Sequence, residues 1–182
     1  MVNSPGFYRV VWHPPTGTNC IKVNVDGCSK GNPGPAGCGG LFRVDNGRYI
    51  GAFGANLGFK DSVFAELMGI IMAVEVAHSR GWRNLWIESD STVALKFLTT
   101  DRLHKVPDEL VDRWLKCKSL VQEMDISCSH VYREGNVVAD TLANMGLCFP
   151  LLVWLECPPA PIHRDLVHDS LGLPRYRIIQ SH

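Results

Sequence analysis

The segment Asp26-Gly27-Cys28-Ser29-Lys30-Gly31-Asn32-Pro33-Gly34-Pro35 places an acidic residue directly before a turn that is rich in glycine and proline. Residues 21–25 precede it with alternating apolar and polar side chains, a pattern that predicts a strand. Two further strands are predicted over residues 37–44 and 49–55, because Asp45-Asn46-Gly47 between them is typical of a hairpin turn. These strands form a predicted antiparallel meander, with the acidic residue at the end of its first strand.

Beyond the meander, apolar residues recur at helical spacing, and predicted helices alternate with predicted strands. These elements are a helix over residues 62–79, a strand over 85–87, a helix over 92–98 capped by Ser91, a helix over 107–123, a strand over 126–132 and a helix over 137–145. A meander followed by alternating helices and strands indicates an α/β fold. We expect a five-stranded mixed sheet with helices on both faces.

The chain of 182 residues fits one domain with an additional segment at each end. Residues 1–20 are interpreted as an N-terminal lead-in or linker, and residues 21–146 as the domain. Residues 147–182 are rich in proline, aromatic and aliphatic residues without a clear period. We expect them to form a C-terminal extension that packs on the domain.

The composition, with 46% hydrophobic and 20% charged residues, indicates a chain that folds around a core. No apolar run approaches the ~20 residues of a membrane span, and the N-terminus lacks the pattern of a secretory signal. The seven cysteines include no Cys-x-x-Cys pair, which argues against a zinc site or a redox motif. We therefore expect an intracellular monomer, nuclear, cytoplasmic or in an organelle, that is not secreted and does not bind membranes.

The formal net charge is zero, with 18 basic and 18 acidic residues, which at first argues against a polyanionic partner. The charges are unevenly distributed, however. Residues 1–60 contain basic residues against only two acids, Asp26 and Asp45, whereas residues 61–140 are acidic overall. This distribution would suit a metal site beside a phosphate-binding surface, although ordinary surface variation explains it equally well.

Four acidic residues occupy positions from which their carboxylates could meet at one edge of the sheet: Asp26, Glu66, Asp90 and Asp140. Asp26 and Asp90 end predicted strands, whereas Glu66 and Asp140 lie within predicted helices. Taken singly, each has an ordinary alternative role. An Asp at a strand end often caps a turn, and a Glu in the first turn of a helix often pairs with the helix dipole. Spacing alone leaves open whether the four meet.

Clustered carboxylates repel one another and resist ionisation unless cations lie between them. Ligands that consist only of oxygen suit a hard ion, which would be Mg²⁺ or, in its place, Mn²⁺. Two such ions can activate a water molecule and stabilise the leaving oxygen of a phosphodiester. A converging cluster would therefore be typical of a nuclease that uses two metal ions.

The motifs around these acidic residues resemble those of the type 1 ribonuclease H family, and the resemblance covers residues 21–146. It rests on Val25-Asp26-Gly27 with Gly31-Asn32-Pro33-Gly34-Pro35-Ala36-Gly37-Cys38-Gly39, on Ala65-Glu66-Leu67-Met68, on Glu88-Ser89-Asp90-Ser91, and on His130, Asn136 and Asp140-Thr141-Leu142-Ala143. The flanks Val11-Trp12-His13-Pro14-Pro15 and Gly172-Leu173-Pro174-Arg175 resemble the plant branch of this family. Members of that branch often belong to non-LTR retroelements or their domesticated relatives.

The resemblance implies a ribonuclease H-like fold and hydrolysis of the RNA strand of RNA–DNA hybrids. It implies that two Mg²⁺ ions are held by Asp26, Glu66, Asp90 and Asp140. His130 would assist proton transfer or product release. Contacts to the hybrid, whose 2′-hydroxyls distinguish RNA from DNA, are implied for Gly27, Ser29, Asn32, Ser62, Ser91, Thr92 and Asn136. A reverse transcriptase domain of a parent polyprotein is a further possible partner. The alternative for residues 31–34 is a tight turn without a substrate role.

Three departures from the family pattern predict a weak hold on the substrate. Two Asn positions shortly before the helix Glu are Ser62 and Val63 here, and the Gln after the Asp-Ser pair is Thr92. The basic protrusion of some members is missing, and the connection over residues 99–106 carries only Arg102, His104 and Lys105. Because each phosphate contact contributes about one unit of log–log salt slope, we expect loose binding near physiological salt.

Three functions remain open at this point. The first is a hybrid-specific endonuclease. The second is a retroelement-derived module that binds nucleic acid or protein with little or no catalytic activity. The third is a related nuclease that acts on DNA junctions. The complete acidic set favours an enzyme, because an inactive module gains nothing from clustered carboxylates, and the turn over residues 31–39 together with His130 favours RNA as the substrate.

Overall fold

The computed structural model describes residues 6–100 and 105–179, which form eight strands and five α-helices. The strands are β1 (Gly6–Val10), β2 (Ile21–Ser29), β3 (Gly34–Arg43), β4 (Tyr49–Lys60), β5 (Asn84–Ser89), β6 (Asp125–His130), β7 (Leu152–Leu155) and β8 (Arg175–Ile179). The helices are α1 (Ser62–Ser79), α2 (Thr92–Thr99), α3 (Val111–Val121), α4 (Val137–Gly146) and α5 (His163–Ser170). The predicted alternation of helices and strands after the meander is therefore present.

Six strands form the main sheet in the order β6-β5-β2-β3-β4-β7. Strands β2, β3 and β4 are antiparallel neighbours, as predicted, while β5 runs parallel to β2 and β6 runs parallel to β5. The predicted count of five strands is wrong by one. The additional strand is β7 of the extension, whose apolar residues pair antiparallel with β4 and cover that edge of the sheet.

Side chains of β3 alternate between the two faces of the sheet and separate two cores. Cys38 and Phe42 belong to the larger core, which α1 covers. Leu41 belongs to a smaller core, together with Leu142 of α4 and Ile162 of the extension. Helices therefore cover both faces of the sheet, which confirms the fold predicted from the sequence.

Helix α1 is the central helix of the larger core. It begins after Asp61, whose side chain accepts a hydrogen bond from the backbone N–H of Phe64. Leu67, Ile70 and Ile71 are completely buried. By length and composition α1 could cross a membrane, but 61% of it is buried inside the fold. This burial explains its apolar character, because a helix at the centre of a core is apolar on most of its surface.

The helix predicted over residues 107–123 is shorter in the structure. Pro107 has φ −52° and ψ 135°, and a short 3-10 helix over Asp108–Leu110 precedes α3. The proline therefore lies before the helical segment instead of opening it. Leu110 remains buried in the larger core.

Both ends of the chain extend the fold beyond the predicted domain. Strand β1 pairs antiparallel with β8 in a separate two-stranded sheet, in which Val10 lies opposite Arg175. Trp12 follows β1 and is only 2% exposed. This corrects the interpretation of residues 6–12 as a linker, because they pair with the extension and contribute a buried aromatic side chain.

Candidate active site

Three carboxylates meet beside the C-terminal end of β5. Asp26, Glu66 and Asp90 each offer one carboxylate oxygen, and these three oxygens lie within 4.8 Å of one another. Asp26 is buried, whereas Glu66 and Asp90 are half-buried. The structure thus brings together three of the four acidic residues that the sequence singled out.

The pairing of β2 with β5 places Asp26 beside Asp90. The two strands are parallel, and Val25 lies opposite Ser89 in their register. The next residue after each of these is acidic, so both carboxylates reach the same edge of the sheet.

Glu66 reaches the cluster from α1, because the first turns of this helix pack directly on β2. A Cβ atom on Gly27 would lie 2.2 Å from the carbonyl carbon of Ala65. Only glycine therefore permits this approach, and Glu66 follows Ala65 in the helix. Gly27, for which the sequence predicted a substrate contact, is required here for the close packing of α1.

Asp140 lies on α4, outside the group of three carboxylates. Helix α4 approaches β3 closely because Gly39 has no side chain. A Cβ atom on Gly39 would lie 2.6 Å from the backbone nitrogen of Ala143. The negative charge of Asp140 contributes to raising the pKa of Asp26. The fourth acidic residue is therefore near enough to act on the cluster electrostatically without sharing its tightest contacts.

Burial and repulsion by neighbouring charges raise the pKa of two of the clustered carboxyl groups, those of Asp26 and Glu66. The pKa of Asp26 rises from 3.8 to about 9, chiefly through desolvation and then through the charges of Asp90, Glu66 and Asp140. The pKa of Glu66 rises from 4.5 to about 8, chiefly through desolvation and then through Asp90. Glu66 Oε2 is also buried without a hydrogen-bond partner in the described part of the chain. A hard cation fits this donor set, because it supplies the missing positive charge and binds the free oxygen.

His130 ends β6 and lies next to Asp90. Its Nε2 atom is 3.2 Å from the backbone oxygen of Asp90, and its ring centroid is 5.6 Å from that of Tyr132. The side chain of His130 is exposed. The Nε atom of Arg133, in the following loop, is 3.8 Å from Asp90 Oδ2. The cluster therefore has an exposed rim that carries a histidine and an arginine.

Asn136 precedes α4 and binds Asp90 from inside the protein. Its Nδ2 atom donates to Asp90 Oδ1 at 3.2 Å and to the Val25 carbonyl oxygen at 2.9 Å. Its Oδ1 atom accepts a hydrogen bond from Asn24 at 3.3 Å. Asn136 is 2% exposed, so no polar atom of this side chain is left for a substrate. This corrects the prediction that Asn136 contacts the hybrid, and the structure gives it the role of holding Asp90.

The glycine-rich turn closes against the start of α1. Asn32 Oδ1 accepts a hydrogen bond from the backbone N–H of Ser62 at 2.8 Å, and Ser29 Oγ donates to the carbonyl oxygen of Lys60 at 2.7 Å. Asn32 remains exposed, while Ser29 and Ser62 are half-buried. These bonds tie the turn to the end of β4 and the start of α1, and they leave Asn32 at the surface.

Ser91 and Thr92 follow Asp90 at the start of α2. Ser91 Oγ accepts a hydrogen bond from the backbone N–H of Ala94, so this residue caps the helix as predicted. The side chain of Thr92 is exposed. In the connection after α2, Arg102 and His104 lie outside the described residues, and Lys105 is exposed.

The sequence did not reveal a set of buried polar residues on the sheet face opposite the larger core. These residues are Lys22, Asn24, Arg43, Glu88, Asn136 and Asp169. Lys22 Nζ lies 2.9 Å from Glu88 Oε2 and 3.9 Å from the ring centroid of Trp86. The alternation of Lys22 and Asn24 with apolar residues predicts a strand, but it carries no signal that the two chain ends bury this face.

The fold and its acidic cluster together define a protein of ribonuclease H type. Comparison with known families leads to the same class, because a family model described as reverse transcriptase-like matches residues 24–146. The chain belongs to this reverse transcriptase-like family. The family match ends before the extension, and the segment before residue 24 also lies outside it.

Individual relatives carry ribonuclease H names. A protein of Arabidopsis thaliana, provisionally named a ribonuclease H protein, is 32% identical over 182 residues, which are 98% of this chain but only 29% of that relative. Ribonuclease HI of Halobacterium salinarum is 32% identical over 144 residues, which cover 79% of this chain and 72% of the relative. The crystal structure of LC11-RNase H1 from compost, in complex with an RNA/DNA hybrid, matches with a TM-score of 0.60 and 25% identity. That match covers 70% of this chain and 96% of the other.

Proposed function

We propose that this protein is a Mg²⁺-dependent endonuclease that hydrolyses the RNA strand of RNA–DNA hybrids by a two-metal mechanism. The observation that carries the proposal is the group of three carboxylate oxygens within 4.8 Å of one another. The mutual repulsion of these carboxylates is unfavourable unless cations are bound between them. A nuclease can use such cations in the hydrolysis of a phosphodiester. The Halobacterium ribonuclease HI and the hybrid-bound LC11 enzyme support hybrid cleavage as the reaction.

In this proposal Asp26, Glu66, Asp90 and Asp140 hold two Mg²⁺ ions, and Mn²⁺ can substitute. When bound, these ions activate the attacking water and stabilise the leaving oxygen. Asn136 keeps one oxygen of Asp90 turned inward by donating to it at 3.2 Å. The other Asp90 oxygen therefore remains directed away from this bond. Asp140 adds negative charge that strengthens the hold on the ions.

His130 serves as the proton carrier of the site. It is exposed, and its Nε2 atom lies 3.2 Å from the backbone oxygen of Asp90, so its ring lies beside the carboxylate cluster and not among the carboxylates. An imidazole ring beside the cluster can accept or deliver a proton during the reaction. We assign it to proton transfer to the leaving oxygen or to product release.

The hybrid would lie across the exposed residues around the cluster. Asn32, Ser91 and Thr92 are the predicted substrate residues that fit this role best, since Asn32 and Thr92 are exposed and Ser91 directly follows Asp90. Gly27, Ser29 and Ser62 would contribute through backbone and hydroxyl groups. The matching family model is described as reverse transcriptase-like, and the chain spans 29% of the Arabidopsis relative, so a reverse transcriptase domain on the same polypeptide fits as a natural partner.

The proposal is tested with an RNA–DNA hybrid labelled on the RNA strand, beside RNA duplex and DNA duplex of the same sequence. We expect cleavage of the hybrid alone, only with Mg²⁺ or Mn²⁺, leaving 5′-phosphate and 3′-hydroxyl ends. Asp26→Asn should abolish cleavage while the protein still melts cooperatively. Hybrid that is bound equally with and without Mg²⁺, and that remains uncut at high protein and low salt, would instead favour a binding module.

A further inference from the structure

A continuous series of buried hydrogen bonds joins the C-terminal extension to Asp90. Asp169 on α5 accepts a hydrogen bond from Arg43 Nη1 at 2.8 Å. Arg43 Nη2 donates to Asn24 Oδ1 at 2.9 Å, and Asn24 Nδ2 donates to Asn136 Oδ1 at 3.3 Å. Asn136 Nδ2 then donates to Asp90 Oδ1 at 3.2 Å. The series therefore begins outside the family match and ends on a carboxylate of the cluster.

Water does not replace any link of this series. Arg43 and Asn24 are each 1% exposed, Asn136 is 2% exposed and Asp169 is 3% exposed. A buried polar group that loses its hydrogen-bond partner is destabilised by its full desolvation penalty. Hydrogen-bonded groups in a buried series therefore keep their partners, and when one group shifts its neighbours shift with it. A change at Asp169 is therefore passed along the series instead of being absorbed by solvent.

The series also fixes which way each amide points. Arg43 and Trp12 both donate to Asn24 Oδ1, which turns the NH₂ group of Asn24 toward Glu88 Oε2 at 2.8 Å and toward Asn136 Oδ1 at 3.3 Å. That donation in turn occupies Asn136 Oδ1 and leaves the NH₂ group of Asn136 to face Asp90. An inverted Asn136 would bring its oxygen against a carboxylate and against the carbonyl oxygen of Val25. Asn24, Val25 and Asp90 thus all select the same orientation of Asn136, and Asn24 is the one of the three through which the series reaches it.

We propose that Asp169, acting through Arg43, Asn24 and Asn136, is a positioning residue for Asp90. The extension then contributes to cation binding by the carboxylate cluster, in addition to covering the sheet. This inference rests on the proposed function only in taking the cluster as the cation site. It assigns a role in the site to a helix that lies beyond the family match.

The chain offers a matched pair of variants for the test. Asp169→Asn removes the charge that Arg43 contacts. Asp165→Asn removes the same charge from the same helix. Both acidic residues accept a hydrogen bond from Arg175, Asp169 at 2.5 Å and Asp165 at 2.8 Å. Asp165 makes no hydrogen bond to Arg43 among the described contacts. The difference between the two variants therefore isolates the branch that leads to Asn24.

The first readout is the affinity for Mn²⁺, measured by calorimetry without nucleic acid. We expect Asp169→Asn to weaken binding roughly three- to tenfold, which is less than the roughly 10- to 100-fold contributed by residues in direct contact with metal ligands. Asp165→Asn should match the wild type. The second readout is the side-chain amide signal of Asn136 in ¹H–¹⁵N spectra. It should shift in Asp169→Asn and stay in place in Asp165→Asn. A purely structural role would change the melting temperature and leave both readouts unchanged.

Arg43→Lys provides a second route in case Asp169→Asn does not fold. The lysine keeps a cation beside Asp169 but lacks the planar fork that also reaches Asn24. We expect the same weakening of Mn²⁺ binding in this variant. Wild-type Mn²⁺ affinity and an unmoved Asn136 signal in the folded variant would overturn the proposal. If the wild-type protein binds Mn²⁺ but does not cleave the hybrid, that result would count against the proposed function and leave this inference standing.

Discussion

The guanidinium carbon of Arg43 lies 3.6 Å from the ring centroid of Trp12, so a residue of the N-terminal lead-in covers a buried charge on the sheet. Trp12 Nε1 also donates to Asn24 Oδ1 at 2.9 Å. The lead-in is thereby tied to the face of the sheet that carries Asp26. This contact makes the residues before β2 part of the folded unit.

Trp12→Ala should lower the free energy of unfolding by about 3–5 kcal/mol, because it removes a buried aromatic side chain and uncovers Arg43. Urea denaturation measures this change. Phe7→Ala is the control, since Phe7 lies in β1 and is 65% exposed, and it should change stability by no more than about 0.5 kcal/mol. Equal effects of the two variants would show that the lead-in does not anchor on the sheet.

Gly39→Ala should separate α4 from β3. The added Cβ atom would lie 2.6 Å from the backbone of Ala143, and α4 must shift to accommodate it, carrying Asp140 with it. We expect a loss of stability of about 1–3 kcal/mol and a fall in hybrid cleavage of about 10- to 100-fold. Gly6→Ala is the control, because its Cβ atom would meet nothing within 4 Å. Unchanged activity in Gly39→Ala would contradict the role given to the position of α4.

The stability of the metal-free protein should fall as the pH rises. The folded state raises the pKa of Asp26 to about 9 and that of Glu66 to about 8, so it binds these protons more tightly than the unfolded chain does. Their contribution is complete below about pH 4 and is lost as the pH rises toward 8–9. Thermal melts in EDTA should show the fall, and millimolar Mg²⁺ should reduce it.

Asp26→Asn separates this effect from other titrating groups. At pH 7 the wild-type carboxyl group must take up a proton on folding, because its pKa in the folded protein is about 9. An amide of the same shape needs no proton, so the variant should be more stable than the metal-free wild type at this pH. The gain should be roughly 1–3 kcal/mol, because one pKa unit corresponds to about 1.4 kcal/mol. Asp45→Asn, in an exposed turn, should leave stability unchanged. A less stable Asp26→Asn protein at pH 7 would contradict the repulsion inferred at the cluster.

His130→Ala should slow hybrid cleavage roughly 10²-fold without changing the melting temperature, if the histidine carries a proton in the reaction. His163→Ala is a matched control, because His163 is also exposed and its Nε2 atom also lies near a backbone oxygen, that of Pro158, at 2.7 Å. Cleavage rates at saturating hybrid measure the difference. Equal rates for the two variants would remove His130 from the mechanism.

Local sequence patterns predicted the elements that hold the cluster. Helix α1 spans Ser62–Ser79 as its apolar period indicates, and the Asn46-Gly47 turn has the positive φ angles that a tight hairpin requires. These elements depend on residues close together in the chain. The adjacency of Asp26 and Asp90 depends instead on the pairing of β2 with β5, which local patterns left open.

Features that join distant residues could not be predicted in this way. The pairing of β1 with β8 and the contact between Arg43 and Asp169 connect segments that are far apart in the chain. Lys22 and Asn24 have the alternation of a strand with a solvent-facing side, but Trp12 and Asn136 pack on that side and help to bury them. Likewise, the sequence placed Asp140 in a helix without showing that it stands apart from the three closest carboxylates.

The most direct test of the metal site is anomalous scattering from crystals soaked in Mn²⁺. We expect a Mn²⁺ peak about 2 Å from carboxylate oxygens of Asp26, Glu66 and Asp90, and no such peak in crystals of Asp26→Asn soaked in the same way. A wild-type crystal at millimolar Mn²⁺ without a peak at this cluster, or with its strongest peak elsewhere, would contradict the assignment of these carboxylates as the metal site of a nuclease.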